Sequence, residues 1–138
     1  MPESALAKKM KLRAGARAAM INAPVGYLKA LAPLPADVEL SEKAQGRFDW
    51  IQVFVRTSAE LKGLGPALIK ALAEESLLWI SFPKGTSGIQ TDLTRDKGWD
   101  ALKGFDLKWV TLISVNDTWS AFCLRPYRAG EPKQPTWR

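Results

Sequence analysis

The stretch that most constrains the fold is the apolar run over residues 48–55, which is rich in aromatic and β-branched side chains. Both of its alternating faces are apolar except at Asp49 and Gln52. A strand with one wet face alternates apolar and polar residues, so this run predicts a parallel strand buried on both faces of a layered sheet. Thr57 and Glu60 form a capping box directly after it and predict a helix, which Pro66 is expected to break into two short pieces.

A second apolar run, over residues 77–82, predicts the neighbouring strand. It stops at Pro83 and passes into a small basic loop with hydroxyl side chains. Weaker patterns predict the other elements: a helix over 4–11, strands over 16–22 and 38–40, a short helix started by Pro24, a helix capped by Thr91 or Asp92 that runs through Trp99 and Leu102, and strands over 107–115 and 118–124 joined by a two-residue turn.

Strands that alternate with helices indicate a parallel sheet with right-handed crossovers. The sequence therefore predicts one α/β domain over residues 1–126, with a three-layer, open, mostly parallel sheet and an antiparallel hairpin strand at its carboxyl-terminal end. Residues 127–138 contain few apolar side chains and are expected to be an extended or disordered tail.

The chain contains no histidine and a single cysteine, Cys123. These counts exclude Ser-His-Asp and Cys-His catalysis and argue against a zinc site. Cys123 lies in an apolar run and is expected to be buried. We therefore assign no catalytic residue and no metal ligand. The lone cysteine and the lack of a signal sequence or a membrane-spanning run predict a cytoplasmic protein without membrane attachment.

The formal net charge is +6, and much of the excess lies near the two ends of the chain. Basic termini more often solubilise a protein than bind nucleic acid, and no nucleic-acid-binding motif accompanies them. We therefore expect a small anionic ligand rather than nucleic acid, and the sequence leaves the oligomeric state open. The basic residues near the ends are Lys8, Lys9, Lys11, Arg13 and Arg17, and Arg125, Arg128, Lys133 and Arg138.

A ligand site is expected where the carboxyl ends of the parallel strands meet, because open α/β sheets bind ligands at that edge. Lys84 with nearby hydroxyls, and the positive end of a helix that starts near Thr91, would together hold an anion. Ordinary structural roles compete with this hypothesis: a solvated Lys84, a cap at Asp92 and a core position for Trp119. The candidate ligand-binding residues are Asn22, Pro24, Gly26, Arg56, Lys84, Thr86, Ser87, Arg95, Asp117 and Trp119.

Four segments carry a resemblance to a known family: residues 22–27, 83–84, 91–95 and 117–120. Over residues 12–126 the chain resembles a small bacterial family of uncharacterised proteins with a reduced form of the class I S-adenosylmethionine-dependent methyltransferase fold, which is Rossmann-like. The resemblance implies that fold, and S-adenosylmethionine is the cofactor it would imply.

The chain departs from the methyltransferase pattern at three places. The turn after the first strand has one glycine, Gly26, where the family expects a glycine-rich turn. The acidic residue expected at the end of the second strand is closest to Glu39, which lies one residue early. The family's third strand and its helix have no counterpart. We therefore expect no bound cofactor.

The function expected from the sequence is a non-catalytic or regulatory binding module with an anionic-ligand site at the carboxyl edge of the sheet. One alternative is an active S-adenosylmethionine-dependent methyltransferase that acts on a small or acidic substrate. A second alternative is a nucleic-acid or protein partner bound through the basic termini.

Overall fold

The computed structural model describes residues 4–43, 45–102 and 104–134. No helix in these ranges is long and apolar enough to cross a membrane. The elements in chain order are α1 (Ala5–Lys9), β1 (Arg17–Ile21), α2 (Tyr27–Leu31), β2 (Glu39–Ser41), β3 (Phe48–Phe54), α3 (Ser58–Ala71), β4 (Leu72–Pro83), a 3-10 helix (Trp99–Leu102), β5 (Leu107–Ser114) and β6 (Trp119–Pro126).

The strands form one six-stranded sheet in the order β2-β1-β3-β4-β6-β5. β2, β1, β3 and β4 run parallel, and β6 is antiparallel to both of its neighbours. β3 lies at the centre, where Ile51 pairs with Ala19 of β1 and Leu78 of β4. The predicted mostly parallel sheet with one antiparallel hairpin strand is confirmed.

Helices cover both faces of the sheet, so the predicted three layers are also confirmed. On one face, α3 and the 3-10 helix pack over Ile51 and Val53 of β3. On the other face, α1 and α2 pack over Trp50 and Phe54 of the same strand. The residues of β3 that alternate between the two faces are therefore buried on both sides, as the apolar run requires.

The α1 side of the core is also joined by hydrogen bonds. The indole N–H groups of Trp50 and Trp79 both donate to the Met10 carbonyl, at 2.8 and 3.0 Å. This carbonyl is one of those left without a helical partner at the carboxyl end of α1. The two tryptophans thereby connect α1 to β3 and β4.

α3 continues through Pro66 without a break, so the predicted division into two pieces is wrong. Pro66 lies on the exposed face, where water can solvate the carbonyl that loses its partner, while Leu61 and Leu68 anchor the helix in the core on either side. The predicted capping box is confirmed in part. The Thr57 hydroxyl accepts from the Glu60 amide at 3.1 Å, and the Glu60 carboxylate accepts from the Arg56 amide at 2.8 Å.

Three other boundaries differ from the sequence prediction. β4 begins at Leu72, directly after α3, rather than at Leu77. α2 begins at Tyr27 behind Gly26, which has a φ of +83°, rather than at Pro24. The β5–β6 connection spans residues 115–118 rather than two residues. Within it, the Asn116 side-chain oxygen accepts from the amides of Thr118 and Trp119 at 2.9 Å each, which stabilises the longer turn.

The predicted helix from Thr91 to Leu102 is reduced to the 3-10 helix Trp99–Leu102. The hydroxyls of Thr91 and Thr94 accept from nearby backbone amides, which compete with helical hydrogen bonds in residues 91–98. Gly98 also has a φ of +95°, outside the helical region. Hydroxyl caps and a left-handed glycine therefore replace the first two turns of the expected helix.

Candidate functional site

The predicted ligand residues lie near the carboxyl edge of the parallel strands, and the structure divides five of the ten between two cavities. The first, the β4 cavity, has a volume of about 500 Å³ and lies beyond the carboxyl end of β4 and the start of β6. It is lined by Phe82, Pro83, Lys84, Gly85, Ile89, Gln90, Thr91, Leu93, Thr94, Arg95, Leu112 and Ser120. Two of these residues are cationic, and among the described lining residues none is acidic.

The loop after β4 holds Lys84 firmly against the β5–β6 hairpin. Its amide donates to the Thr118 carbonyl at 2.8 Å, and its ammonium group donates to the Ser114 hydroxyl at 2.5 Å. The Lys9 ammonium group reaches the carbonyl of the same serine at 2.8 Å. Two ammonium groups therefore share a neutral residue, and no ion pair joins either of them to a carboxylate in the described ranges.

Arg95, the second cation of the β4 cavity, contacts only one carboxylate closely enough to form an ion pair among the described residues. Its guanidinium group is 3.8 Å from Asp96, and both side chains are 70% exposed. An ion pair that is this open to water contributes little free energy. An anion in the cavity would therefore have little competition for Arg95.

The wall of the β4 cavity is attached to α3 through Asp92. One carboxylate oxygen accepts from the Ser58 amide at 2.7 Å and the other from the Ser58 hydroxyl at 2.5 Å. These hydrogen bonds hold the pKa of Asp92 below its usual range. Asp92 therefore caps the amino end of α3. Because no helix begins at Thr91, the expected contribution of a helix dipole to the anion site is absent.

Thr86 and Ser87 follow Lys84 but do not line the β4 cavity. The Ser87 amide donates to the Lys84 carbonyl at 3.0 Å, and its hydroxyl accepts from the Ile89 amide at 3.2 Å. Ser87 thus closes the turn that positions Lys84, and Thr86 lies exposed at the tip of that turn.

The second cavity, the β1 cavity, has a volume of about 400 Å³ and lies beyond the ends of β1 and β2. Asn22, Pro24 and Gly26 line it, together with Met20 on its floor. Met20 belongs to the core on the α1 side of the sheet, whereas Phe82 on the floor of the β4 cavity belongs to the α3 side. The two cavities therefore open from opposite faces of the sheet.

Glu42 also lines the β1 cavity, and it was missed in the sequence prediction. Glu39, the acidic residue considered there, is the first residue of β2 and lies at the opposite end of that strand. Glu42 follows directly after β2, which ends at Ser41. Placing the end of the strand one residue later would have found it.

The last three candidate residues line neither cavity. The Arg56 amide is used to cap α3, and Asp117 is exposed at the hairpin tip. Trp119 is only 4% exposed and packs edge-on against Phe54, with ring centroids 5.0 Å apart. Phe54 packs in turn against Tyr27 at 4.7 Å. Trp119 is thus a core residue within a row of aromatic side chains along this edge.

The described lining of the two cavities contains no histidine, cysteine or tyrosine, and Glu42 of the β1 cavity is its one carboxylate. In the core nearby, burial raises the pKa of Tyr27 to about 12 and the pKa of the Cys123 thiol to about 11, so both groups stay protonated at neutral pH. The described residues contain no group of three or more His, Cys, Asp or Glu side chains placed to hold a metal ion.

No protein-family model matches the chain, and no curated protein matches its sequence. Solved structures do match its fold. The DhpI–SAH complex superposes with a TM-score of 0.60 at 10% identity, covering 88% of this chain and 82% of that one. An S-adenosylmethionine-dependent methyltransferase from Clostridium acetobutylicum gives a TM-score of 0.58 at 9% identity, with 87% of both chains covered. A ribosomal protein L11 methylase from Lactobacillus delbrueckii subsp. bulgaricus gives 0.57 at 15% identity, covering 88% and 76%.

The chain has the fold of the class I S-adenosylmethionine-dependent methyltransferases. At these identities the likeness shows the fold alone. The methyltransferase-like fold is small and reduced here, because β2 has three residues and no strand pairs with its outer edge in the described ranges.

The residues of the β1 cavity fit S-adenosylmethionine only in part. Glu42 follows β2 and lies 20 residues after Asn22, the spacing at which dinucleotide folds place the carboxylate that binds the ribose hydroxyls. The turn after β1 fits less well. It contains Pro24, which has no N–H, and a single glycine, so few backbone amides can approach a ligand. The fit to the cofactor is therefore partial: a carboxylate lies where the ribose would bind, but the turn lacks the glycines for a close backbone approach.

Proposed function

We propose that this protein is a non-catalytic binding module on a methyltransferase-like fold and that it binds a small organic anion in the β4 cavity. One observation carries the proposal: Lys84 and Arg95 line a cavity of about 500 Å³ with no acidic residue among its described lining. Arg95 would bind a carboxylate or phosphate through its planar fork, and Lys84 would supply a point charge. Ile89, Leu93 and Leu112 offer an apolar wall for the body of the ligand.

The protonation states of the available groups support a binding role rather than a catalytic one. The chain has no histidine, and its one thiol is buried with a raised pKa. The β4 cavity offers cations and hydroxyls but no histidine, carboxylate or thiol among its described lining residues. Such a lining can bind and orient an anion without performing acid–base chemistry on it.

Calorimetry with citrate and inorganic phosphate as probes tests this proposal. We expect binding that weakens by about tenfold when Lys84→Gln and Arg95→Gln are combined, since two charge-assisted contacts are lost. The matched control is Lys29→Gln with Lys62→Gln, which removes the same charge from exposed positions that line neither the β4 cavity nor the β1 cavity. An equal loss in both variants would mean that net charge, not the cavity, attracts the anion. Native mass spectrometry of protein purified from cells would then look for a copurified anion.

A methyltransferase is the second candidate, and the position of Glu42 in the β1 cavity favours it. Methyl transfer depends more on positioning than on a strong base, so the missing histidine does not count against it. This candidate expects heat on titration with S-adenosylmethionine and a loss of that heat in Glu42→Gln, with Glu39→Gln as the control. A flat titration at millimolar cofactor in the unaltered protein would eliminate it.

A further inference from the structure

The amino edge of the sheet, opposite the two cavities described so far, holds a third cavity of about 290 Å³. Four basic residues line it: Lys11 and Arg13 from the segment before β1, and Arg125 and Arg128 from the end of the chain. The fold therefore brings the two basic termini together in one place. We refer to this site as the amino-edge cavity.

Three departures from regular backbone each position a residue that lines this cavity. Lys11 has a left-handed φ of +58°, which is uncommon for a residue with a side chain. The pairing of β3 with β4 shifts register between Phe48 and Trp50, opposite the irregular part of β4 that contains Glu75. The pairing of β5 with β6 shifts at Val110.

Bulges of this kind redirect side chains and are common beside binding sites. Both register shifts in the sheet pairings border the amino-edge cavity, and Glu75 and Val110 both line it. The irregular backbone of the sheet is thus concentrated around a single cavity. This supports a binding site at that position rather than an incidental depression of the surface.

The charge of the amino-edge cavity favours an anion. Four basic residues line it against two acidic ones, Asp49 and Glu75, and three cations remain against these two carboxylates after Arg125 has paired with Glu131. Arg13 and Arg128 are exposed, and neither forms an ion pair with a described residue. Arg125 is oriented by Glu131, whose carboxylate accepts from its two terminal nitrogens at 2.9 and 2.6 Å. One guanidinium group is therefore fixed in place, and two others are available to a ligand.

The floor of the amino-edge cavity is apolar. Trp50 is 1% exposed, while Leu77 and Val110 complete the surface. Asp49 uses one carboxylate oxygen to accept from the Arg17 amide at 2.9 Å. Asp49 and Glu75 both line the cavity, and carboxylate oxygens accept hydrogen bonds from the hydroxyl or amino groups of a ligand.

We propose that the amino-edge cavity binds a small phosphorylated molecule, with its phosphate at the arginine side chains and its hydroxyl-bearing body over the apolar floor. Guanidinium groups match phosphate oxygens in bidentate geometry. The two carboxylates argue against a nucleic-acid strand, whose successive phosphates would pass close to them. This site is separate from the β4 cavity and does not depend on the function proposed above.

Titration calorimetry of the full chain with ribose 5-phosphate and with pyrophosphate tests the assignment. We expect ribose 5-phosphate to bind, and Arg13→Gln combined with Arg128→Gln to weaken it by about tenfold. The matched control, Lys29→Gln with Lys62→Gln, removes the same charge from exposed positions that line none of the three cavities, and it should leave the affinity within about twofold of the unaltered protein. Broadening or shift of the Trp50 indole N–H resonance would locate the ligand over the floor.

Three results would overturn the proposal. These are no heat with either probe at millimolar concentration, an equal loss of affinity in both variants, or tight binding of a single-stranded oligonucleotide without binding of ribose 5-phosphate. The last result would assign the surface to nucleic acid instead. If the double variant does not fold, Arg128→Gln alone gives the same readout, because Arg128 is exposed and lies outside the sheet.

Discussion

At the residue scale, the wall of the β4 cavity depends on a glycine that packs closely against its neighbours. A Cβ atom at Gly98 would lie 2.6 Å from Leu93 Cδ2 and 2.9 Å from the Asp92 carbonyl oxygen. The residue also has a φ of +95°. Backbone conformation and steric contact thus both require glycine where residues 91–98 turn back towards the 3-10 helix.

We predict that Gly98→Ala lowers the free energy of unfolding by more than about 2 kcal/mol, since it adds a backbone clash to the strain of a left-handed φ. Gly88→Ala is the matched control, because Gly88 has a φ of +81° but a Cβ atom added there would meet no atom within 4 Å. It should cost about 1 kcal/mol. Urea unfolding of both variants measures the difference, and equal losses would show that strain alone decides.

At the element scale, residues 127–134 form an extended segment held against β5, the edge strand of the sheet. Glu131 pairs with Lys108 of β5 at 2.9 Å and with Arg125 of β6 at 2.6 Å. The Gln134 side chain accepts from the Trp109 amide at 3.1 Å and donates to its carbonyl at 3.0 Å. The backbone groups of an edge strand are otherwise open to pairing with another chain. From the sequence, Trp137 in the tail is expected to be free to contact a partner, and this residue lies outside the described ranges.

We predict that Glu131→Gln destabilises the protein in a pH-dependent way. Hydrogen bonds from Arg125, Arg128 and Lys108 lower the pKa of Glu131 far below its usual range. A lowered pKa means that the stabilisation is complete above the unfolded pKa of about 4.3 and is lost as the pH falls towards the folded pKa. The difference in urea midpoint between Glu131→Gln and the unaltered protein should therefore be largest at neutral pH and decrease in acid.

Asp106→Asn serves as the control for that measurement, because Asp106 pairs with Lys133 of the same segment at an exposed position. Exposed pairs contribute little, so its urea midpoint should stay close to that of the unaltered protein at both pH values. A gap for Glu131→Gln that did not change with pH would contradict an ionic role for that residue.

At the scale of the whole molecule, β3 joins two cores that lie on opposite faces of one sheet. Ile51 is fully buried on the α3 side, and Trp50 is buried on the α1 side. The two cavities at the carboxyl edge are separated in the same way, because the floor of the β4 cavity lies on one face of the sheet and the floor of the β1 cavity on the other. Two ligands could therefore bind without touching the same side chains.

We predict that Ile51→Ala lowers the free energy of unfolding by about 3 kcal/mol, since a cavity opens in the central strand where the helices allow little collapse. The two cores should still unfold together, so tryptophan fluorescence and far-UV circular dichroism should give the same urea midpoint. Leu112→Ala at a position 36% exposed is the control and should cost much less. Separate midpoints for the two probes would show that the faces unfold independently.

The sequence alone determined the features that depend on local pattern. The layered parallel sheet is predicted by three such features: the burial of residues 48–55 on both faces, the Thr57 cap and the alternation of strands with helices. Periodicity and capping depend on a few neighbouring residues, so they can be recognised in the sequence. The same reasoning located Lys84 and Asn22 at the carboxyl edge. It failed for residues 91–98, where Thr91, Thr94 and Gly98 favour turns over the helix that Trp99 and Leu102 suggest.

Only the tertiary structure decided which residues share a cavity. Lys84 and Arg95 line one cavity and Asn22 and Gly26 another, because the side chains at the strand ends leave the sheet on opposite faces. Glu42 lines the second cavity because β2 ends at Ser41, one residue later than predicted. The amino-edge cavity combines Arg13 with Arg128, which lie at opposite ends of the chain. The order and register of the strands bring these two residues together. The local sequence pattern around each residue therefore cannot predict that they line the same cavity.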